Sequence, residues 1–175
     1  MPSPVSQERL YSDVAAEYAS ALERLARGYE RDPDARRDLL QDIHVALWRS
    51  LARFDGRCSM RTWVYRVAHN IATSRVIRAR RFAPTFVTPS ALEAIPDRRD
   101  GEATFDRQRT LERVYALIRE LRPIDRQIML LYLEDVDAAS ISEITGLTAR
   151  NVATKIHRIK QTLASQFHLK VNEHE

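Results

Sequence analysis

Residues 83–104 interrupt an otherwise helical sequence with Pro84, Pro89, Pro96 and Gly101, no sustained apolar period, and the mixed charge run PDRRDGE. Proline and glycine at that density punctuate regular elements. About 20 unpatterned residues inside one compact domain would be unusual. The chain therefore reads as two units, residues 8–82 and 105–170, with 83–104 as a flexible linker. A length of 175 residues allows this, since globular units of about 100 to 150 residues are commonest and smaller ones fold.

Both flanks repeat at helical spacing. Leu10, Val14, Tyr18, Leu22, Leu25 and Tyr29 trace the buried stripe of a first helix. Asp32-Pro33 ends it and starts the next, with Asp32 as cap and Pro33 in the first turn, where a missing N–H costs nothing. Leu39, Ile43, Leu47 and Leu51 point inward on that second helix, which stops near Asp55-Gly56. Ser59 offers a cap for a third, through Trp63, Val67 and Ile71 toward Arg80. Beyond the linker, Leu111, Val114, Leu117, Ile118 and Leu121 form another stripe, and Pro123 opens a helix from Ile124 to Leu133. Then come a short helix from Ile141 to Thr145, a Gly146-Leu147 turn, a Thr148 cap and a last helix with Val152, Ile156, Ile159 and Leu163 inward. Four glycines in all and no strand-like alternation exclude a turn-dense β fold. The expected class is all-α, in two small helical domains.

Hydrophobic residues at 44% and charged residues at 30% suit a globular, soluble chain. The longest apolar run, Ile128 to Leu133, is far short of the roughly 20 residues that cross a bilayer. The N-terminus, MPSPVSQERLYSDV, lacks the basic start and apolar stretch of a signal peptide. A cytoplasmic location without membrane insertion is expected. Cys58 is the only cysteine, which rules out an intrachain disulfide and leaves a reduced thiol.

Charge is unevenly spread. Residues 8–42 hold six basic and nine acidic side chains, whereas residues 43–85 hold nine arginines against Asp55 alone. Residues 140–170 add Arg150, Lys155, Arg158, Lys160 and Lys170 against Glu143. Two separated basic blocks suit two contacts with one polyanion, since arginine and lysine displace the counterions condensed on nucleic-acid phosphates. A pair of solvated helix faces fits the same counts.

Short helix, glycine turn and longer basic helix is the helix-turn-helix pattern, whose second helix enters the major groove. From the Thr148 cap, Arg150, Asn151, Thr154, Lys155 and Arg158 are expected opposite Val152, Ile156 and Ile159. Asparagine and arginine make paired bonds to adenine and guanine. An ordinary hairpin with a solvated basic face is the alternative. The third helix mixes arginines with aromatics and Asn70, a combination that stacks on unpaired bases and follows a backbone. Trp63, in phase with Val67 and Ile71, reads as core, Tyr65 as the exposed aromatic and His69 as a surface histidine. On the second helix Asp38, Gln41, Asp42 and Trp48 make an acidic face beside an aromatic, which by itself is a solvated surface. His44, His69, His157, His168 and His174 form no metal-ligand set, and no phosphate loop or hydrolase motif is present, so neither a metal, a cofactor nor a catalytic residue is expected.

Taken in order, DLLQDIHVALW, FDGRCSMRTWVYRVAHNIATSRVIRARR and LRPIDRQIMLLYLEDVDAASISEITGLTARNVATKIHRIKQTL resemble the extracytoplasmic-function sigma factors of the sigma-70 family over about 135 residues. The resemblance implies that Asp38, Leu39, Gln41, Asp42 and Trp48 dock on the clamp helices of the RNA polymerase β′ subunit. It implies that Phe54, Arg57 and Ser59, in the loop before the third helix, take a base flipped from the minus-10 element. It implies that Trp63, Asn70, Arg75, Arg78 and Arg81 melt and hold that element, to which Tyr65 is added as the expected exposed aromatic, and that the helix of Thr148, Arg150, Asn151, Thr154, Lys155 and Arg158 reads the minus-35 duplex. Core polymerase, including its β flap, promoter DNA and an anti-sigma protein are the implied partners. The sequence departs from the family at His44 for phenylalanine, Ser74 for aspartate, Ser142 for alanine, and Arg150-Asn151 for glycine-threonine. A free-standing helix-turn-helix regulator and a sigma-like adaptor are the competing readings.

Overall fold

The computed structural model describes the backbone of residues 4–82 and 102–172, and side chains from 7–81 and 107–167. The described residues form seven helices and no strand: α1 (Pro4–Tyr29), α2 (Pro33–Leu51), α3 (Met60–Phe82), α4 (Glu102–Glu120), α5 (Pro123–Leu133), α6 (Ala138–Thr145) and α7 (Ala149–Asn172). None is long and apolar enough to cross a membrane. Most of the expected linker, 83–101, lies outside the described residues. Its last three positions belong to α4.

The helix ends follow local chemistry. Asp32 accepts from the Asp34 and Ala35 amides at 3.0 and 2.8 Å, satisfying donors that the first turn of α2 leaves unpaired. Ser59 caps α3 by accepting from the Thr62 amide at 3.1 Å. Asp137 caps α6 through the Ala139 and Ser140 amides, so this helix starts three residues before the expected Ile141. It ends at Gly146, whose φ of 76° is left-handed, a conformation that glycine adopts without a Cβ penalty. The Ser142 hydroxyl donates across this turn to the Leu147 carbonyl.

Leu22, Leu25, Leu39, Ile43, Leu47 and Leu51 fill the centre of the α1–α3 bundle, and Ile118, Ile128, Leu131 and Ile141 that of α4–α7. Each such side chain contributes about 1.5 to 3 kcal/mol on leaving water. The two bundles, separate in sequence, are docked in space: α1 and α3 pack on α4, α5 and α6, and one apolar cluster runs through both. A Cβ on Gly28 of α1 would lie 2.4 Å from the Leu130 side chain of α5, so any larger residue there would have to displace that leucine.

Candidate nucleic-acid interface

On α7, Val152 and Ile159 are buried, while Arg150, Asn151, Thr154 and Arg158 share an exposed face. Thr148 caps the helix by accepting from the Asn151 amide at 3.3 Å. The helix N-terminus therefore presents Arg150 and Asn151 where free amides and the dipole favour a phosphate. Lys155 departs from expectation. It lies three residues after Val152 and four before Ile159, so it shares their side, and its ammonium meets Asp125 of α5 at 2.8 Å. Burial alone would raise the Asp125 carboxyl, but its bonds to Lys155 and Arg122 outweigh that and hold it below the ordinary carboxylate value. Lys155 thus staples α7 to α5.

The loop before α3 collects three of the expected residues. Phe54 is half-buried, edge-on to Trp63 with centroids 5.4 Å apart, and the Trp63 indole N–H donates to Ser50 at 3.1 Å. Ser59 stays exposed beside them, as does Arg57, which pairs with Asp55 at 3.0 Å. Further along α3, Asn70, Arg78 and Arg81 are exposed. Arg75 is half-buried between Glu30 and Asp42, at 3.6 and 3.4 Å.

Two expectations on α3 fail for one reason: it is covered on several sides. Tyr65, expected to be exposed, retains 2% of its surface. It lies edge-on to Tyr18 and donates to Glu134 of the second bundle at 3.3 Å. Burial, reinforced by the Glu134 charge, pushes its phenol up to about 12. His69, expected at the surface, is 1% exposed and bonded to the Tyr29 hydroxyl at 2.9 Å. Burial drives its imidazole down to about 3, so it is neutral.

On α2, Asp38, Gln41, Asp42 and Trp48 are exposed, but Leu39 is wholly buried and can only seat the helix that carries them. Sequence reasoning missed Val45, 44% exposed between Asp42 and Trp48. It also missed the support from α1, where Tyr11 lies edge-on to Trp48 at 5.3 Å, bonds His44 at 3.1 Å, and Gln7 donates to the Trp48 carbonyl. The three-residue spacing of Asp42, Val45 and Trp48, which puts them on one side of a helix, was the available signal. No group of three or more histidine, cysteine, aspartate or glutamate residues that could hold a metal occurs among the described residues.

The arrangement joins an exposed helix-turn-helix face, a loop-and-helix surface with aromatics and arginines, and an acidic face with an exposed tryptophan. Residues 14–82 match the family model Sigma-70 region 2, and residues 111–163 match Sigma-70, region 4. The RNA polymerase sigma factor YlaC of Bacillus subtilis (strain 168) is 25% identical over 159 residues, 90% of either protein. Among solved structures, that of CnrH in complex with the cytosolic domain of CnrY aligns with a TM-score of 0.67 at 21% identity, covering 93% of this chain and 90% of that one. At such identity the likeness speaks to the fold.

Proposed function

The chain belongs to the sigma-70 family, in the two-region form of the extracytoplasmic-function group, and we propose that its exposed surfaces divide promoter recognition between the two bundles. It is a promoter-recognising sigma factor, a DNA-binding subunit of transcription initiation that serves core RNA polymerase. The α7 face of Arg150, Asn151, Thr154 and Arg158, behind the Thr148 cap, reads the minus-35 element as duplex. Asparagine and arginine there reach base edges, and Arg158 holds a phosphate. The loop of Phe54, Arg57 and Ser59 takes a base out of the stack, which is the only way its pairing edge can be read. Trp63 backs that loop, and Asn70, Arg75, Arg78 and Arg81 follow the opened strand.

Asp38, Gln41, Asp42 and Trp48, seated by Leu39, dock on the β′ clamp helices, and the α4–α7 bundle meets the β flap. Two weak DNA contacts held on one polymerase gain affinity through effective concentration. The protein acts stoichiometrically in the cytoplasm and not as a catalyst. A protein inhibitor covering both DNA surfaces is the third proposed partner; CnrH, which shares this fold, has been solved bound to the cytosolic domain of CnrY. Recovery from native cells of polymerase without an inhibitor would count against that partner.

The carrying observation is the exposed face of α7, which unites base-reading and phosphate-binding side chains at a capped helix N-terminus. The test is transcription in vitro from a genomic promoter library by core polymerase, with and without the protein. Promoter-specific starts are expected only with it. Duplex binding by the protein alone, with no specific start, would replace this reading with a free-standing repressor.

A further inference from the structure

A cleft of about 360 Å³ opens between α1 and α2, and none of its lining residues belongs to the surfaces proposed above. Its walls supply four guanidinium groups: Arg24 and Arg27, one turn apart on α1, and Arg36 and Arg37 in the first turns of α2. Glu23 is the one carboxylate that lines it, Ser20 adds a hydroxyl one turn before Arg24, and Pro33 and Leu40 complete an apolar part. The four cations are unequally committed. Arg24 gives its Nε and Nη2 to Glu134 at 2.6 and 2.7 Å. Arg27 meets Glu112 more loosely, at 3.5 Å. Arg37 pairs with Asp34, but both side chains stay largely exposed, and such a pair contributes little. Arg36 donates to the Arg31 carbonyl at 2.9 Å, while its Nε is buried without a hydrogen-bond partner. A buried donor left unpaired is costly, and this one belongs to a cation. Like charge also crowds it. Arg119 of α4, which donates to the Arg27 carbonyl at 2.7 Å, is lowered by burial and lowered further by Arg31 and Arg36, with Glu112 and Glu30 opposing.

Guanidinium forks match phosphate oxygens two at a time. The cleft has the volume of a small-ligand site at the lower end of the usual range of about 300 to 1,000 Å³. Forks on two walls suit an anion longer than one phosphate group, and Pro33, Leu40 and the aliphatic arginine stems offer it apolar surface. We propose that this cleft binds a diphosphate, held by Arg27, Arg36 and Arg37, either as the free inorganic anion or as the diphosphate group of a nucleotide. A small turn of the Arg36 side chain gives its Nε the acceptor it lacks. Such a site stands whether or not the chain directs a polymerase. Arg37 and Leu40 adjoin Asp38 and Gln41 on α2, so a bound diphosphate adds negative charge beside the acidic face.

The test is titration calorimetry of the full chain with pyrophosphate, ADP, orthophosphate and sulfate at one fixed ionic strength. Pyrophosphate or ADP is expected to bind on the order of tenfold more tightly than orthophosphate or sulfate. Preference for pyrophosphate assigns the free anion, and preference for ADP assigns the nucleotide. Arg36→Gln and Arg37→Gln should each weaken the preferred probe on the order of tenfold, the worth of one charged hydrogen bond. Arg9→Gln removes the same charge from the exposed far end of α1 and should change binding by less than about twofold, since distant charges are screened. Arg36→Lys keeps the charge and loses the fork. It should also weaken binding, which keeps the test decisive if Arg36→Gln does not fold. The proposal is overturned if both diphosphates bind no better than sulfate, or if the Arg36 and Arg37 variants lose no more than Arg9→Gln. It is equally overturned if a single-stranded oligonucleotide displaces pyrophosphate at equal phosphate concentration, which would make the cleft part of a DNA surface.

Discussion

The helices α3 and α7 are both proposed to meet DNA, and their surroundings differ. In α7, which packs on α4, α5 and α6, apolar residues face in and Arg150, Asn151, Thr154 and Arg158 face out. In α3, which meets α1, α2, α5 and α6, Thr62, Tyr65 and His69 are buried along with Val64, Ala68 and Ala72. A helix covered on one side sorts its residues by polarity. A helix covered on several must bury polar groups, each of which then needs a partner. The Tyr29 hydroxyl meets that need for His69 and also lies 3.2 Å from Thr73.

Acid should break the α3 side of this comparison first, with the largest effect. Because the folded His69 value is held near 3 against an ordinary 6.5, the unfolded chain binds a proton that the folded one does not throughout that window. Stability therefore falls as pH drops below about 6.5. At about 1.4 kcal/mol per unit, the loss is about 2 kcal/mol between pH 6.5 and 5 and approaches roughly 4 lower down. Urea unfolding of the native chain against His69→Gln should show this slope, and the variant should lack it. An equal slope in both would mean that His69 is already charged.

Next in size are effects that sharpen the reading of α7 itself. Asn151→Ala should cost about 1 to 3 kcal/mol at a single promoter position, whereas Arg158→Ala should weaken all sequences alike and lower the salt slope by about one. Identical behaviour across a randomised minus-35 library would overturn that division. Lys155→Met should do neither. It leaves the buried Asp125 with Arg122 alone, so stability should fall by about 1 to 3 kcal/mol while the salt slope of duplex binding stays as it was. A reduced slope would mean that Lys155 leaves Asp125 to hold a phosphate.

What the sequence made legible follows the same division. Local rules place helix ends well: Asp32, Ser59, Gly146 and Thr148 act where their side chains or backbone freedom require. One-sided stripes such as Leu39, Ile43, Leu47 and Leu51 come out buried as spaced. Tyr65 and His69 were misplaced because their burial comes from α1 and from α5, and the Tyr65 partner Glu134 is 69 residues away. The Arg24–Glu134 pair spans 110 residues, and no local pattern links two such positions. Lys155 was misjudged for a different reason: its charge suggested exposure, but helical phase alone puts it beside Val152 and Ile159. Of the candidate site, the α7 face was readable from composition and phase. The docking of the bundles, which decides what α3 presents, was not.

The smallest effect concerns Arg75, where the two helices differ most subtly. It sits between Glu30 and Asp42 with nearly a third of its side chain exposed, so the pairs are screened and Arg75→Ala should change stability by only about 0.2 to 1 kcal/mol. Yet Asp42 is proposed to meet polymerase and Arg75 to meet DNA, and in the free chain the two lie 3.4 Å apart and partly neutralise each other. Asp42→Asn should therefore strengthen single-strand binding, by less than about fivefold given the worth of an exposed pair. The gain should vanish in the double variant with Arg75→Ala, since the coupling is what a double-mutant cycle isolates. If Asp42→Asn strengthens binding equally with and without Arg75, the carboxylate acts through the general field of the acidic face, and Arg75 stands as free for DNA as Arg158 does on α7.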